Sequence, residues 1–180
     1  MWHPARVSIR ALGPQDWRAY AQIRLRALAD SPEAFGSTLA REQLFTETDW
    51  RARLGSPVLL AEEDRLAVAM AGLYRNNDDR DSDERDGDAS ARLWGVWTEP
   101  SARGRGHASA LLDALFANDP AVADGAPVEL EVNLANAAAR RLYERHGFLA
   151  TGERRPLRPD SDQLVERMVR GPVAISPVLS

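Results

Sequence analysis

The 180-residue chain holds 23 arginines, 27 acidic residues, no lysine and no cysteine, which gives a formal net charge of −4. The lack of cysteine excludes disulfides, thiolate metal sites and a cysteinyl acyl-enzyme, and the absence of a basic stripe argues against nucleic-acid binding. The chain has no apolar run of about 18 residues and no secretory signal pattern. We therefore expect a single cytoplasmic domain over residues 1–180, with no membrane span.

In the first part of the chain, apolar periodicity predicts a strand, two helices and a β-hairpin. Trp17, Tyr20 and Ile23 fall mostly on one side of the first helix, which Ser31-Pro32 ends. The predicted elements are, in order, the strand 7–10, the helix 14–29, a short helix that starts at Thr48-Asp49, and the hairpin strands 58–61 and 66–74 around Glu63-Asp64.

Residues 76–90 form an acidic segment between two predicted strands, with seven acidic residues against two arginines. We interpret it as a solvated loop, because its spacing lacks the glycine and the terminal glutamate of an EF-hand calcium site. A second interpretation is that its negative field attracts a cationic amine.

The centre of the chain places a glycine-rich loop between a strand and a helix. Residues 92–98 predict a buried strand that Glu99-Pro100 ends, and apolar residues at helical spacing over 108–116 predict a helix. Between them, Gly104 and Gly106 lie just before the helix start. Unpaired N–H groups and the positive end of the dipole at a helix start attract an anion, and glycine leaves no side chain in its way.

Two common phosphate-binding loops do not fit this run. The P-loop requires a lysine followed by serine or threonine, whereas this run continues Gly106-His107-Ala108. The third glycine of the dinucleotide fingerprint would fall at Ser109. The loop therefore predicts an anion site of another kind.

The last part of the chain predicts a strand, a helix and a second hairpin. Residues 128–132 predict the strand, Asn136 suits the N-cap of the helix and Gly147 suits its C-terminal cap. The hairpin strands are predicted at 148–153 and 164–169. The apolar tail 172–179 suits either packing on a second subunit, which would make a homodimer, or disorder.

Two segments of this chain resemble the GNAT superfamily of N-acetyltransferases. The run Arg103-x-x-Gly106-x-Ala108, preceded by Thr98-x-Pro100, is similar to the family's pyrophosphate loop. The run Leu130-x-Val132, Asn136-x-x-Ala139-x-x-Leu142-Tyr143 and Gly147-Phe148 is similar to its fifth strand, the following helix and the start of its sixth strand. The specific match covers about residues 92–154.

The resemblance implies a mixed α/β fold, with a mostly antiparallel, splayed sheet of about seven strands flanked by about four helices. It also implies acetyl transfer from acetyl-coenzyme A to a primary amine, by direct attack in a ternary complex and without a metal. Two alternatives stay open, namely a non-catalytic module that senses acyl-coenzyme A and a transferase for another short acyl group. The bulky indoles of Trp94 and Trp97 favour a small acyl group.

The resemblance further implies which residues meet the coenzyme. It places Tyr143 beside the coenzyme sulfur as the general acid, and places a bulge that frees main-chain groups around Val96 to Thr98. Asn136 could contact pantetheine as well as cap the helix, and the amide of His107, rather than its ring, is expected to bind phosphate. The predicted coenzyme contacts are Val96, Trp97, Thr98, Arg103, Gly104, Arg105, Gly106, His107, Ala108, Ser109, Asn136, Arg140 and Tyr143.

The sequence leaves the general base and the acceptor open. Glu99 is the base candidate that we name, with Glu131, Glu33 and Glu42 as further candidates, and we expect Glu131 to form a salt bridge with an arginine. The three histidines have no metal-ligand spacing. The runs 24–28 and 31–38 resemble a bacterial GNAT subgroup whose acceptor is unassigned, so a small amine, a peptide N-terminus and a protein lysine all remain candidate acceptors.

Overall fold

The computed structural model describes residues 7–75 and 91–171, so the acidic segment 76–90, the tail 172–179 and His3 lie outside the described residues. Seven strands form one sheet in the order β1-β2-β3-β4-β5-β7-β6. Neighbouring strands are antiparallel except β4 and β5, which run parallel. The strands are β1 Val7–Ala11, β2 Val58–Glu63, β3 Leu66–Arg75, β4 Ala91–Thr98, β5 Val128–Asn133, β6 Leu149–Pro156 and β7 Leu164–Arg170.

Six helices flank the sheet in the described part of the chain. They are α1 Trp17–Asp30, α2 Leu39–Glu42, α3 Glu47–Arg53, α4 His107–Asn118, α5 Pro120–Ala123 and α6 Ala137–Arg145. The mixed α/β fold and the seven-stranded sheet are confirmed, whereas the prediction of about four helices is low by two. The two additional helices, α2 and α5, have four residues each, which is too short for a periodic apolar pattern to reveal.

The sheet separates two hydrophobic cores. On one face, Leu111 and Leu115 of α4 pack with Leu59 of β2 and Leu130 of β5. On the other face, α1 and α3 pack against residues of β2, β3 and β4. Strand β2 contributes to both cores because successive side chains of a strand point to opposite faces. Its sequence is therefore a continuous apolar run rather than an alternating one.

A β-bulge interrupts the pairing of β4 with β3. Trp94 pairs with Gly72 and Trp97 pairs with Met70, so two residues of β4 face one residue of β3. Gly95, in the bulge, has a φ of +64°, a conformation that glycine adopts without strain. In a regular strand, residues three positions apart point to opposite faces, but the bulge turns both indoles toward the core around α1.

Strands β4 and β5 separate soon after they begin. They pair only at Ala91 with Val128 and at Arg92 with Glu129. Beyond these pairs β5 continues along β7, while β4 continues along β3. The two central strands therefore splay apart toward their C-terminal ends, which opens a cleft in the middle of the sheet.

Two local predictions need correction. The helix start predicted at Thr48-Asp49 lies earlier, because Thr46 is the N-cap of α3 and forms a capping box with Asp49. The first hairpin turns at Asp64 and Arg65, both with positive φ, rather than at Glu63-Asp64. Within the described residues, no helix is both long and apolar enough to span a membrane.

Candidate functional site

The cleft between the splayed strands is lined from both faces of the sheet. The β4 bulge, including Gly95 and Val96, forms one wall, and Glu131 of β5 forms part of the other. Helix α6 contributes Tyr143 from one face, and Phe35 contributes from the opposite face. The cleft holds about 70 Å³, roughly twice the volume that one water molecule occupies in the liquid.

Tyr143 lines the cleft from the face of the sheet that carries the core around α4. Its side chain is buried, and its ring packs edge-on against Phe148 at 5.9 Å between centroids. Burial raises the pKa of Tyr143 well above the ordinary value for a phenol, because the phenolate would lose its hydration. The hydroxyl is therefore protonated at neutral pH and can act as a proton donor.

Glu131 is the carboxylate among the residues that line the cleft. Both of its oxygens accept hydrogen bonds from Arg155, each at 2.5 Å from the guanidinium nitrogen. This confirms the salt bridge that the sequence analysis expects for Glu131. Arg92 lies farther away, 3.9 Å from the same carboxylate.

The other three base candidates lie outside the cleft. Glu99 follows the end of β4 and pairs with Arg26 at 3.0 Å. The side chain of Glu33 is exposed on the turn Pro32–Ala34. Glu42 is fully buried, pairs with Arg24 at 2.9 Å and is not among the residues that line the cleft. Of the four acids named from the sequence, only Glu131 lines the cleft.

The glycine-rich loop presents open backbone groups at the start of α4. Gly104 and Gly106 have φ values of +77° and +85°, and a Cβ added at either position would meet no atom within 4 Å. The first hydrogen bond of α4 runs from the N–H of Ala110 to the carbonyl of Gly106. The N–H groups of residues 107–109 therefore have no intrahelical acceptor and face an open space. This arrangement suits a phosphate group.

The basic side chains of the loop are held by neighbouring acids. Arg103 pairs with Asp30 and also donates to the carbonyl of Thr98. Arg105 and the buried ring of His107 both contact Glu63 of β2. The hydrogen bond from His107, followed by those from Arg105, holds the pKa of Glu63 below its ordinary value. The His107 ring thus anchors the loop to the sheet.

Three further predicted coenzyme contacts, Trp97, Asn136 and Ser109, lie in three different places. Trp97 donates from its indole to Asp30 and belongs to the core around α1, so its side chain lies outside the cleft. Asn136 lines the cleft while it caps α6 by accepting from the N–H of Ala139. The hydroxyl of Ser109 contacts His146 at 3.0 Å.

Arg140 does not share the cleft with Tyr143. Its guanidinium donates to Glu166 of β7 at 2.6 Å and to Glu144 on its own helix at 3.2 Å. The hydrogen bond from Arg140 holds the pKa of Glu166 below its ordinary value. Of the predicted coenzyme contacts Asn136, Arg140 and Tyr143, only Asn136 and Tyr143 therefore line the cleft.

Several residues of the site are absent from the sequence prediction. Phe35 and Asn133 line the cleft, and Arg155 binds its carboxylate. Gly95 between two tryptophans is a signal that could have located the bulge, because glycine inside a strand pattern often marks one. The other three depend on contacts between distant parts of the chain, such as the hydrogen bond from Asn133 to the carbonyl of Glu33.

Comparison with known proteins assigns the family. The model of the acetyltransferase (GNAT) family matches residues 22–148. The chain belongs to this GNAT family. This GNAT chain is 31% identical over 147 residues to a mycothiol acetyltransferase of Brachybacterium faecium, and 35% identical over 151 residues to one of Salinispora arenicola. These matches cover 77% and 81% of the chain but only 39% and 45% of the relatives, so the chain spans less than half their length.

Solved structures share the fold of this GNAT chain at low sequence identity. An acetyltransferase of the GNAT family from Streptococcus pneumoniae superposes with a TM-score of 0.74 at 20% identity, covering 92% of this chain and 99% of that one. The yncA protein of Salmonella typhimurium, solved with its cofactor acetyl-CoA, gives 0.69 at 19% identity, covering 97% and 99%. These similarities confirm the GNAT fold.

Proposed function

We propose that this chain transfers the acetyl group of acetyl-coenzyme A to a primary amine. The observation that carries the proposal is the cleft at the β4–β5 splay, which Tyr143 and Glu131 line and which opens between the two strands that precede the glycine loop and α6. Family membership supports acetyl transfer, and the acetyl-CoA bound to the yncA protein supports the donor.

The loop before α4 fits the pyrophosphate of the coenzyme. Its N–H groups over residues 104–109 would hold the anion, and the missing side chains of Gly104 and Gly106 leave the room that a phosphate needs. Arg103 and Arg105 are about half exposed and already paired, so they would add positive charge at the rim. A cleft of about 70 Å³ favours a short acyl group.

The coenzyme supplies the thioester, and the chemistry requires three groups of the protein around it. An N–H of the β4 bulge near Val96 would donate to the carbonyl oxygen as negative charge develops there. Tyr143 would donate its proton to the departing thiolate, whose proton affinity also rises in the low-dielectric cleft. Glu131 would take the proton of the amine, directly or through a water molecule.

Glu131 replaces Glu99 as our proposed base because of position. Glu131 lines the same cleft as Tyr143, whereas Glu99 pairs with Arg26 outside it. A base must reach the proton that it removes, so position is the first criterion for choosing a base and acidity is the second.

Calorimetric titration with acetyl-coenzyme A tests the donor site. A Gly106→Glu variant places a negative charge in the open space where the pyrophosphate would lie, and we expect its affinity for acetyl-coenzyme A to fall at least about tenfold. Gly152→Glu is the matched control, because Gly152 has a φ of +84° against +85° at Gly106 and its added Cβ also meets no atom. Both variants therefore carry the same backbone strain.

Each outcome of this titration has a different meaning for the proposed donor site. Binding by the wild type and by Gly152→Glu, with weak binding by Gly106→Glu, supports the loop as the donor site. A wild-type protein that does not bind acetyl-coenzyme A would overturn the proposal. If it binds, release of free thiol in a screen of primary amines then tests the transfer itself.

A further inference from the structure

Glu131, which lines the cleft, forms an ion pair with a more exposed guanidinium. The Glu131 side chain is 23% exposed, and that of Arg155, on the edge strand β6, is 57% exposed. Arg155 binds both oxygens of Glu131 through Nε and Nη2. The negative group therefore lies inward and the positive group lies outward at this end of the cleft.

Arg155 depends on Glu131 more than its neighbours do. The next arginines on this face, Arg92 and Arg167, both pair with Glu129, and Arg167 also pairs with Glu153. Within the described residues, Arg155 has no second acidic partner and otherwise donates only to the carbonyl of Pro156 at 3.4 Å. Loss of Glu131 would leave its guanidinium without a counter-charge.

An amine acceptor reaches the protein mainly as an ammonium ion, and it must compete with Arg155 for the Glu131 oxygens. A simple amine would displace the guanidinium and leave it unpaired, which costs free energy. An acceptor that also carries an anion would pair with both residues at once. The two charges would exchange one partner for another, and no charge would lose its counter-ion.

We propose that Arg155 determines acceptor specificity, and that the acceptor is an α-amino carboxylate. The ammonium would bind Glu131 and the carboxylate would bind the Arg155 guanidinium. Because these two side chains are in direct contact, the anion of the acceptor must lie next to its amine, which suits a carboxylate attached to the same carbon as the amine. Guanidinium and carboxylate match in bidentate geometry. This inference rests on the proposed acetyl transfer at the cleft.

Matched sets of acceptors test the inference. Each set contains an amino acid, its amide and the corresponding decarboxylated amine, for example tyrosine, tyrosinamide and tyramine, with parallel sets for phenylalanine, leucine, histidine and cysteine. The measured quantity is kcat/KM for the N-acetyl product, separated by chromatography. We expect at least one amino acid to exceed its amide and its amine by about tenfold, mainly through a lower KM.

The variants assign this preference to one side chain. Arg155→Met should reduce the ratio of amino acid to amine to about one. Arg154→Met is the matched control, because Arg154 is the adjacent residue, is 56% exposed and pairs with Glu166 rather than with Glu131. The control should keep the wild-type ratio.

Two results among working acceptors would overturn the inference. One is that no amino acid has a higher wild-type kcat/KM than both its amine and its amide, and the other is an Arg155→Met variant that keeps the preference. Failure of every set, in a protein that binds acetyl-coenzyme A, also overturns it. A protein that does not bind acetyl-coenzyme A instead contradicts the proposed function, so the two failures are distinguishable.

Discussion

Tyr143 and Glu131 meet in one cleft, but their surroundings differ. Apolar residues enclose the tyrosine, and an arginine holds the glutamate. Burial keeps the phenol of Tyr143 neutral, whereas the carboxylate of Glu131 forms an ion pair with Arg155. A phenol and a carboxylate on two residues that line one cleft suit a reaction that takes a proton from one substrate and gives one to the other.

Replacing Tyr143 by phenylalanine tests the proton donor. We expect turnover to fall by about a hundredfold or more, because general acid catalysis contributes roughly that much. Affinity for acetyl-coenzyme A should change little, since the ring still fills the same space. Because burial raises the pKa of Tyr143, we expect no decline in wild-type turnover from phenol ionisation up to pH 10.

Tyr20→Phe is the control for this substitution. Tyr20 is also buried, its hydroxyl has no hydrogen-bond partner within the described residues, and it lies in the core around α1. Steady-state kinetics and calorimetry on both variants separate chemistry from binding. Wild-type turnover in Tyr143→Phe would remove the tyrosine as the acid.

A pair of glutamine variants decides between the two base candidates. Glu131→Gln removes the carboxylate in the cleft, and we expect kcat/KM to fall about a hundredfold. Glu99→Gln removes one partner of an exposed ion pair with Arg26, and we expect kcat/KM within about threefold of wild type. The opposite order of effects, measured with one amine, would restore Glu99 as the base.

The sequence predicts the residues of the candidate site that lie in local motifs better than those that come from distant parts of the chain. The loop glycines, Asn136 and Tyr143 belong to two local segments, in which spacing along the chain determines position. Phe35 and Arg155 meet the cleft only because the turn Pro32–Ala34 and strand β6 approach β5 in space. Such long-range contacts leave no periodic signal in a single sequence.

At the scale of elements, helix starts show how local signals compete. Both Thr46 and Thr48 precede the apolar residues of α3, and serine or threonine at either position resembles an N-cap. The structure selects Thr46, because Asp49 then falls three residues later and completes a capping box. The sequence contains this pattern, but an adjacent Thr-Asp pair presents a competing one.

Alanine substitutions at the two threonines measure this cap. Thr46→Ala should lower the free energy of unfolding by about 1 kcal/mol, since it removes the acceptor for the N–H of Asp49. Thr48→Ala should change it by less than about 0.5 kcal/mol, because Thr48 is an exposed residue inside the helix. Urea unfolding of both variants provides the measurement. A larger effect at Thr48 would contradict the assigned cap.

At the scale of the whole molecule, the residue pattern predicts the order of the elements, whereas the splay of the sheet is implied only by the family resemblance. Strong apolar runs locate the strands of the sheet, and the family resemblance correctly implies their arrangement. The separation of β4 from β5 arises because β5 pairs with β7 along its full length, whereas it meets β4 at only two positions. No residue type marks the positions where pairing stops.

A buried ion cluster joins three helices and links folding to pH. Glu42 of α2 accepts from Arg24 of α1 at 2.9 Å and lies 3.4 Å from Arg53 of α3. Burial raises the pKa of Glu42, but the hydrogen bond and charge of Arg24 and the charge of Arg53 outweigh it and hold the pKa below the ordinary value for a glutamate. The stabilisation is therefore present above the ordinary glutamate pKa and disappears as the pH falls through the folded-state pKa.

Glu42→Gln isolates this cluster. At pH 7 we expect the free energy of unfolding to fall by about 3–5 kcal/mol, because Arg24 stays buried without its counter-charge. Glu33→Gln, which changes an exposed acid, should stay within about 0.5 kcal/mol of wild type. Other acids weaken every variant at low pH, so the informative quantity is the difference between wild type and Glu42→Gln. This difference should shrink from pH 7 to pH 3 in urea unfolding, because protonation removes the charge that the substitution removes. A difference that stays constant over this range would show that the variant loses packing rather than the ion pair.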